Sequence, residues 1–314
     1  MINILKLCAI MYRGSLIVAK TVCKNKKRKW GIFDIVNTIF LGLLSIIMLY
    51  PFYNVFITSF AKFEDIIAKP VYLLPVSFQL DGYKMVFSES SFYNGFGVTV
   101  IVTVVGTAIC MVVSLLSGYA LSKKSLPGRN IILAMILFTM FFNGGLIPFY
   151  LVVSGIGLVN SIWSMILPAA ISTWYMIIMK NYFNTIPASL EESARLDGAN
   201  DLQILAKIIL PVSKPIIATF SLFYAVERWN EWWNALLFIS DESKRPLQIV
   251  LRQILINVIV SDKMRVQLER SQTRVFEESV QMAAIVITLV PIICLYPFLQ
   301  KYFVKGIMVG SIKE

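Results

Sequence analysis

The chain has 314 residues, 57% of them apolar and only 15% charged, and a net charge of +11. Soluble domains carry about half apolar and about a quarter charged residues, so this chain has too little polar surface to coat a water-soluble particle and reads as an integral membrane protein. With no histidine, no C-x-x-C among its four cysteines and no glycine followed by lysine, it offers no His base, no Ser-His-Asp triad, no His-liganded metal or zinc knuckle, and no P-loop of its own. The positive charge lies beside apolar runs, where the positive-inside rule explains it without nucleic acid.

At the N-terminus, apolar positions 4–19 are interrupted by Lys6 and Arg13, and the basic run Lys24-Asn25-Lys26-Lys27-Arg28-Lys29 follows them. A signal peptide has the reverse order. Residues 1–34 read as a cytoplasmic basic segment, either an interfacial helix against anionic headgroups or an unstructured tail that only fixes topology.

Stretches free of Asp, Glu, Lys and Arg then mark the spans: 27 residues at 35–61, 33 at 90–122, 50 at 130–179 and 22 at 279–300. About 20 residues of helix cross the hydrocarbon layer. Three stretches supply one span each, and the 50-residue stretch supplies two, broken near Gly144-Gly145, Pro148 and 154–157. A sixth span is expected as one helix over 215–239, with Glu227, Arg228 and Glu231 facing protein or water. Long unalternating runs exclude a β-barrel. The expected fold is an all-α integral membrane protein with six transmembrane helices. Placing both termini in the cytoplasm puts 18 Lys and Arg inside and ten outside, the distribution the positive-inside rule favours. The layout is a basic segment 1–34, a six-helix transmembrane domain 35–305 with a folded external loop 240–278, and a cytoplasmic tail 306–314.

Between the fourth and fifth spans, 186–211 reads as two cytoplasmic helices. Pro187 suits a first helical turn, Glu191 and Glu192 sit toward that helix's positive end, and Gly198 closes it in the left-handed conformation. Asn200 caps the second helix, with Gln203 completing a capping box, and Pro211 and Pro215 end it.

This segment resembles the EAA loop of binding-protein-dependent ABC importer permeases: E-A-A, three residues, G, nine residues, I-x-L-P. Here it reads Glu192-Ser193-Ala194, three residues, Gly198, nine residues, Ile208-Ile209-Leu210-Pro211, with serine at the first alanine position. The resemblance implies a type I importer permease core. It makes the loop the coupling helix that docks on a separate ATPase subunit, through Glu191, Glu192, Ser193, Ala194, Asp197, Gly198, Ala199, Leu210 and Pro211. ATP and Mg then belong to two partner ATP-binding cassette subunits, and this chain carries no catalytic residue, metal or cofactor. The tail Lys305-Gly306-Ile307-Met308-Val309-Gly310-Ser311-Ile312-Lys313 also resembles the family's.

Most of the chain after residue 35 resembles the carbohydrate-importer permeases, especially the branch serving fragments of complex polysaccharides. The residues that carry this are Asn143-Gly144-Gly145-Leu146-Ile147-Pro148-Phe149-Tyr150-Leu151, Gly157-Leu158-Val159-Asn160-Ser161-Ile162-Trp163 and the stretch 223–236, within which Glu227, Arg228 and Glu231 depart from the pattern. The resemblance implies an oligosaccharide importer of the bacterial inner membrane, with a second homologous permease, an extracellular sugar-binding protein and lipids as partners. Amino-acid or peptide cargo is the alternative within the same framework, and a proton-coupled secondary transporter the alternative outside it.

Aromatic faces stack on sugar C–H faces and amides bond hydroxyls, so Trp229, Asn230, Asn234, Trp174 and Tyr150 are the candidate pathway residues. Trp232 and Trp233 fit either that cluster or an interfacial tryptophan belt. Glu227, Arg228 and Glu231 form either an intramembrane ion pair, for instance with the partner permease, or a cargo contact.

Overall fold

Backbone amides and carbonyls find no water in hydrocarbon, so apolar runs satisfy them internally, as helices. The computed structural model describes residues 31–62, 78–256 and 279–294, and every regular element among them is helical. The basic segment up to residue 30, residues 257–278 of the external loop and the C-terminal tail lie outside the described residues.

The chain divides into two units, 1–53 and 54–314. Helix α1 (Ile32–Thr58, 27 residues) supplies nearly all of the described part of the first and runs on into the second. At 1.5 Å per residue it is about 40 Å long, more than the hydrocarbon layer requires.

The second unit is arranged around α3 (Ser90–Ser122), whose 33 residues run about 50 Å. A short helix α2 (Asp81–Ser88) precedes it. There follow α4 (Arg129–Phe141), α5 (Leu146–Gly155), α6 (Trp163–Ile166) with a 3-10 turn at Leu167–Ala169, and α7 (Thr173–Phe183). The loop helices are α8 (Ala188–Leu196) and α9 (Asp201–Ile204), the latter extended by a π turn at Leu205–Ile209 and a last turn at Leu210–Val212. Helices α10 (Lys214–Trp229), α11 (Trp233–Phe238), α12 (Leu247–Ile256) and α13 (Ser279–Cys294) complete the unit. Of these, α7, α10 and α12 pack along α3.

Three expected spans are built differently. The 50-residue apolar run breaks near Gly144-Gly145 as expected, but its two spans are not continuous helices. Gly145, at φ +89°, turns the chain by 120° between α4 and α5. The run then resumes as the short α6 and its 3-10 turn, and stops again at 170–172 before α7. Pro168 lies in that 3-10 turn, where a proline's missing N–H and fixed φ favour leaving the α-helix. The fifth span is likewise not one helix over 215–239. It is interrupted between Trp229 and Trp233, and an 87° bend at Ser213 sets it off from the loop before it.

Small residues let the helices approach α3. A Cβ on Gly106 would lie 3.0 Å from the Arg228 side chain of α10, and one on Gly118 would lie 3.4 Å from the backbone of α7. A Cβ on Gly95 would lie 3.3 Å from the backbone of Leu247 in α12. Close approach at small residues is how helices associate in lipid, where no hydrophobic force drives them together. Around the Ser90 end of α3, Val86, Phe92, Trp229, Leu247 and Ala283 form one core. Around the Ser122 end, Tyr119, Phe183, Ala194, Ile204 and Phe220 form another.

Gly106→Val is expected to destabilise the fold by about 1–3 kcal/mol through overpacking against Arg228. Gly97→Val serves as the control, because nothing lies within 4 Å of a Cβ there. Thermal unfolding of the purified protein in detergent should separate the two, with only Gly106→Val lowering the midpoint.

Candidate functional site

The coupling segment closes on itself before it meets anything else. Gly198 sits at φ +81°. Its amide bonds the Arg195 carbonyl at 3.0 Å, and the Ala199 amide bonds the Ala194 carbonyl at 2.9 Å. This is a Schellman ending, and it needs a residue that tolerates the left-handed region. Nothing lies within 4 Å of a Cβ at Gly198, so glycine is required there by conformation rather than by space. The Asn200 side chain accepts the Gln203 amide at 2.9 Å while the Gln203 side chain accepts the Asn200 amide at 3.0 Å. The expected capping box is therefore present. Pro187 differs from expectation: its ψ of 129° places it at the cap, one residue before the helix begins.

The residues of the loop divide into two faces. Ala194 is buried with Tyr119, Phe183 and Ile204, which explains a residue no larger than a methyl group at that point. Glu192, Ser193, Leu196 and Asp197 face outward, so the serine that replaces alanine costs no packing in this chain. Leu196 is 90% exposed and Leu202 is 68% exposed. Glu191 is not on that surface. It forms an ion pair with Lys123, both side chains being about one-fifth exposed, and Lys123 also lies 4.1 Å over the Tyr119 ring. This ties α8 to the end of α3. Leu210 packs on the same core, while Pro211 is exposed beside the 87° bend. The Lys123 contact was missed from sequence, although Lys123 stands directly after a charge-free run on the side assigned to the loop.

One face of α10 carries a polar network that serves the broken spans. The Tyr224 hydroxyl accepts the Ser172 amide at 3.0 Å and shares a 2.7 Å bond with the Ser114 hydroxyl. One turn later, Arg228 donates to the Met165 carbonyl at 2.8 Å. From α3, the Cys110 thiol donates to the Ala169 carbonyl at 3.4 Å. These partners meet the backbone groups exposed where α6 and its 3-10 turn give way to α7. Arg228 is in turn 3.5 Å from Glu231. Glu231 accepts the Asn234 amide at 2.9 Å and so caps α11. All three are buried.

Of the expected trio, then, Arg228 and Glu231 pair within this chain. Glu227 does not join them: it is exposed and accepts the Tyr175 hydroxyl at 2.5 Å, because residues three apart share a helix face and adjacent ones do not.

The expected pathway cluster also comes apart. Trp229 is buried; its indole donates to the Thr288 carbonyl at 3.3 Å and its ring meets Phe96 edge-on at 5.9 Å. It is a core residue seated against α3 and α13, and depth along α10 alone had suggested otherwise. Asn234 is buried on Glu231, which corrects its assignment in the same way. Asn230 is exposed and its side-chain oxygen accepts from Gln248 at 3.2 Å. Tyr150 stacks on Phe238 at 5.5 Å and stays part-exposed, and Trp174 is exposed. Trp232 and Trp233 are both exposed and meet edge-on. The Asn160 stretch has a scaffold role. At φ +59° it donates its amide to Phe238, accepts the Asp241 amide at 3.0 Å on its side chain, and accepts Lys244 on its carbonyl. The Ser243 hydroxyl and amide, with Lys244 beside them, hold the Asp241 carboxyl below its usual range.

Arg228→Met should cost about 3–5 kcal/mol, since it leaves Glu231 buried without its partner. The double variant Arg228→Met/Glu231→Gln should recover part of that loss. Protein recovered from membranes and its thermal unfolding in detergent give the comparison.

Residues 120–309 match the family model described as a binding-protein-dependent transport system inner membrane component. The chain is 45% identical over 284 residues to the polygalacturonan/rhamnogalacturonan transport system permease protein YtcP of Bacillus subtilis, covering 90% of this chain and 98% of that one. It is 44% identical over 283 residues to Protein LplC of the same organism, covering 90% and 95%. In structure it is similar to a chain of a bacterial ABC transporter involved in import of the acidic polysaccharide alginate, with a TM-score of 0.83 and 36% identity over 88% of this chain and 98% of that one. Over this extent and identity, the chain belongs to the family of inner-membrane components of binding-protein-dependent transport systems.

Proposed function

We propose that this chain is one of two homologous permease subunits of an ATP-driven importer that takes up oligosaccharide fragments of complex polysaccharides. The observation that carries the transport half of this reading is the capped α8–α9 loop. It presents three exposed leucines, Leu190, Leu196 and Leu202, among the polar and charged residues of the segment. Large apolar side chains held outward beside a rigid turn mark a surface that a partner subunit covers. The partner is an ATP-binding cassette subunit, which brings ATP and Mg. Lys123–Glu191 then carries its movement into α3.

The loop end of the molecule is cytoplasmic in this reading, the chain crosses the inner membrane six times, and both termini are cytoplasmic. The Ser90 end of α3, with α12, faces outward toward a cargo-loaded binding protein. The cargo class is supported by relatives named for polygalacturonan and rhamnogalacturonan transport and for alginate import.

The test is reconstitution of the complete importer, with uptake of labelled oligogalacturonides and ATP hydrolysis measured together. Gly198→Asp puts a charged side chain at a left-handed position, at a backbone cost of about 1 kcal/mol, in the middle of the exposed loop. It should insert normally yet lose most uptake and binding-protein-stimulated hydrolysis. Undiminished uptake by Gly198→Asp would sink the coupling role. Lys123→Glu and Glu191→Lys should each lower coupled uptake about tenfold, and the double exchange should restore most of it.

Orientation has its own check in intact cells. A membrane-impermeant thiol reagent should label Glu242→Cys and spare Lys124→Cys. The opposite pattern would invert the topology.

A further inference from the structure

We propose that the pocket formed by Trp232, Gln248 and Arg252 is a subsite for a carboxylate-bearing sugar unit of the cargo. It lies in the segment around α11 and α12, at the Ser90 end of α3. It has a volume of about 410 Å³ and is completed by Leu251 and Leu255. That is within the roughly 300–1,000 Å³ range of small-molecule sites.

Arg252 is the reason to look for an anion. It is part-buried, and its Nη1 is shut off from solvent with no hydrogen-bond partner. Among the described residues the guanidinium makes no hydrogen bond or ion pair. Its neighbour is the Trp232 ring, 5.1 Å from the guanidinium carbon. Stacking on an aromatic face holds the guanidinium flat and leaves its Nε/Nη2 edge as the fork open to a ligand. A planar fork of this kind fits a carboxylate through two parallel hydrogen bonds. A part-buried arginine with one N–H group left unmatched and no counter-charge is an incomplete site.

The rest of the lining suits a sugar better than a simple anion. The Gln248 amide nitrogen is engaged by Asn230, which leaves its carbonyl oxygen to accept a sugar hydroxyl. Trp232 is 41% exposed and Trp233 is 47% exposed, and both offer ring surface to sugar C–H faces. Leu251 and Leu255 supply an apolar wall. A phosphate or free acid would use the arginine and ignore these groups, whereas a uronic acid unit uses all of them. The site stands at the opposite end of α3 from the coupling loop, which is the cargo entrance if the proposed function is right, and the inference rests on that reading. It also accounts for Trp232 and Asn230 without placing Trp229 in the path.

The experiment uses the complete importer in lipid nanodiscs without binding protein, titrated at low ionic strength with trigalacturonate and with its trimethyl ester, and followed by tryptophan fluorescence. The parent should bind the acid at least tenfold more tightly than the ester. Arg252→Gln should erase that preference, an affinity loss for the acid of about 10- to 100-fold for a charge-assisted pair, while ester binding stays as it was. Arg252→Lys, which keeps charge and loses the fork, should fall between. Trp232→Ala should weaken both ligands. Equal affinity for acid and ester in the parent, or acid binding unchanged in Arg252→Gln, overturns the subsite. Loss of the second permease from purified Arg252→Gln complexes also overturns it and makes the pocket a subunit seat. Uptake of trigalacturonate by the parent with its binding protein is measured in parallel. If uptake proceeds while the binding arm fails, only the subsite falls; if the parent imports no oligosaccharide, the proposed function falls with it.

Discussion

A helix that breaks inside hydrocarbon leaves amides and carbonyls that only protein can satisfy, and much of this chain follows from that constraint. The run through α6 and α7 breaks opposite the middle of α3. Its free groups are met by Tyr224 and Arg228 from α10 and by Cys110 from α3. Arg228 cannot be buried alone, so Glu231 stands beside it. Once Glu231 is there, its carboxylate caps α11 through the Asn234 amide. The interruption of the fifth span thus follows from the interruption of the fourth, and the charges that looked out of place within an apolar span are the means of joining the two.

The same constraint explains the glycines of α3. The Arg228 side chain that reaches the α6 carbonyl passes α3 at Gly106, where a Cβ would be 3.0 Å from it. Gly118 and Gly95 allow α7 and α12 the same close approach. The helix is therefore a spine with three partners seated at three heights. A displacement applied at one end has few soft contacts in which to dissipate, because packed interiors are bistable rather than continuously deformable. The Lys123–Glu191 pair fastens the loop helix to that spine, and the Schellman turn at Gly198 holds the loop's own shape. At the other end, the pocket of Trp232 and Arg252 is carried on segments seated against the first turns of α3 through Thr99 and Leu247.

Local chemistry was legible in the sequence. The apolar runs and their charged borders marked the membrane segments, since the cost of a charge in hydrocarbon is paid residue by residue. The turn at Gly198 and the capping box at Asn200 and Gln203 were readable because their hydrogen bonds join residues only a few positions apart. The spacing of the loop motif identified the family for the same reason: it is a local device with a local code.

What only the tertiary structure decided is where side chains from different segments meet. Trp229 and Asn230 are neighbours in sequence at the same depth, yet one is in the core on Thr288 and the other is open to Gln248. Their difference depends on α13 and α12, which arrive from elsewhere in the chain. Glu227 and Glu231 share a helical period, but the break after Trp229 and the position of Arg228 separate their fates. Glu191, one residue from the exposed Glu192, turns inward because Lys123 lies there, 68 positions earlier. Composition, spacing and capping are properties of adjacent residues and are fixed by the chain alone. A buried amide, a paired charge or an unpaired arginine is a property of distant segments brought together, and it exists only once they have packed.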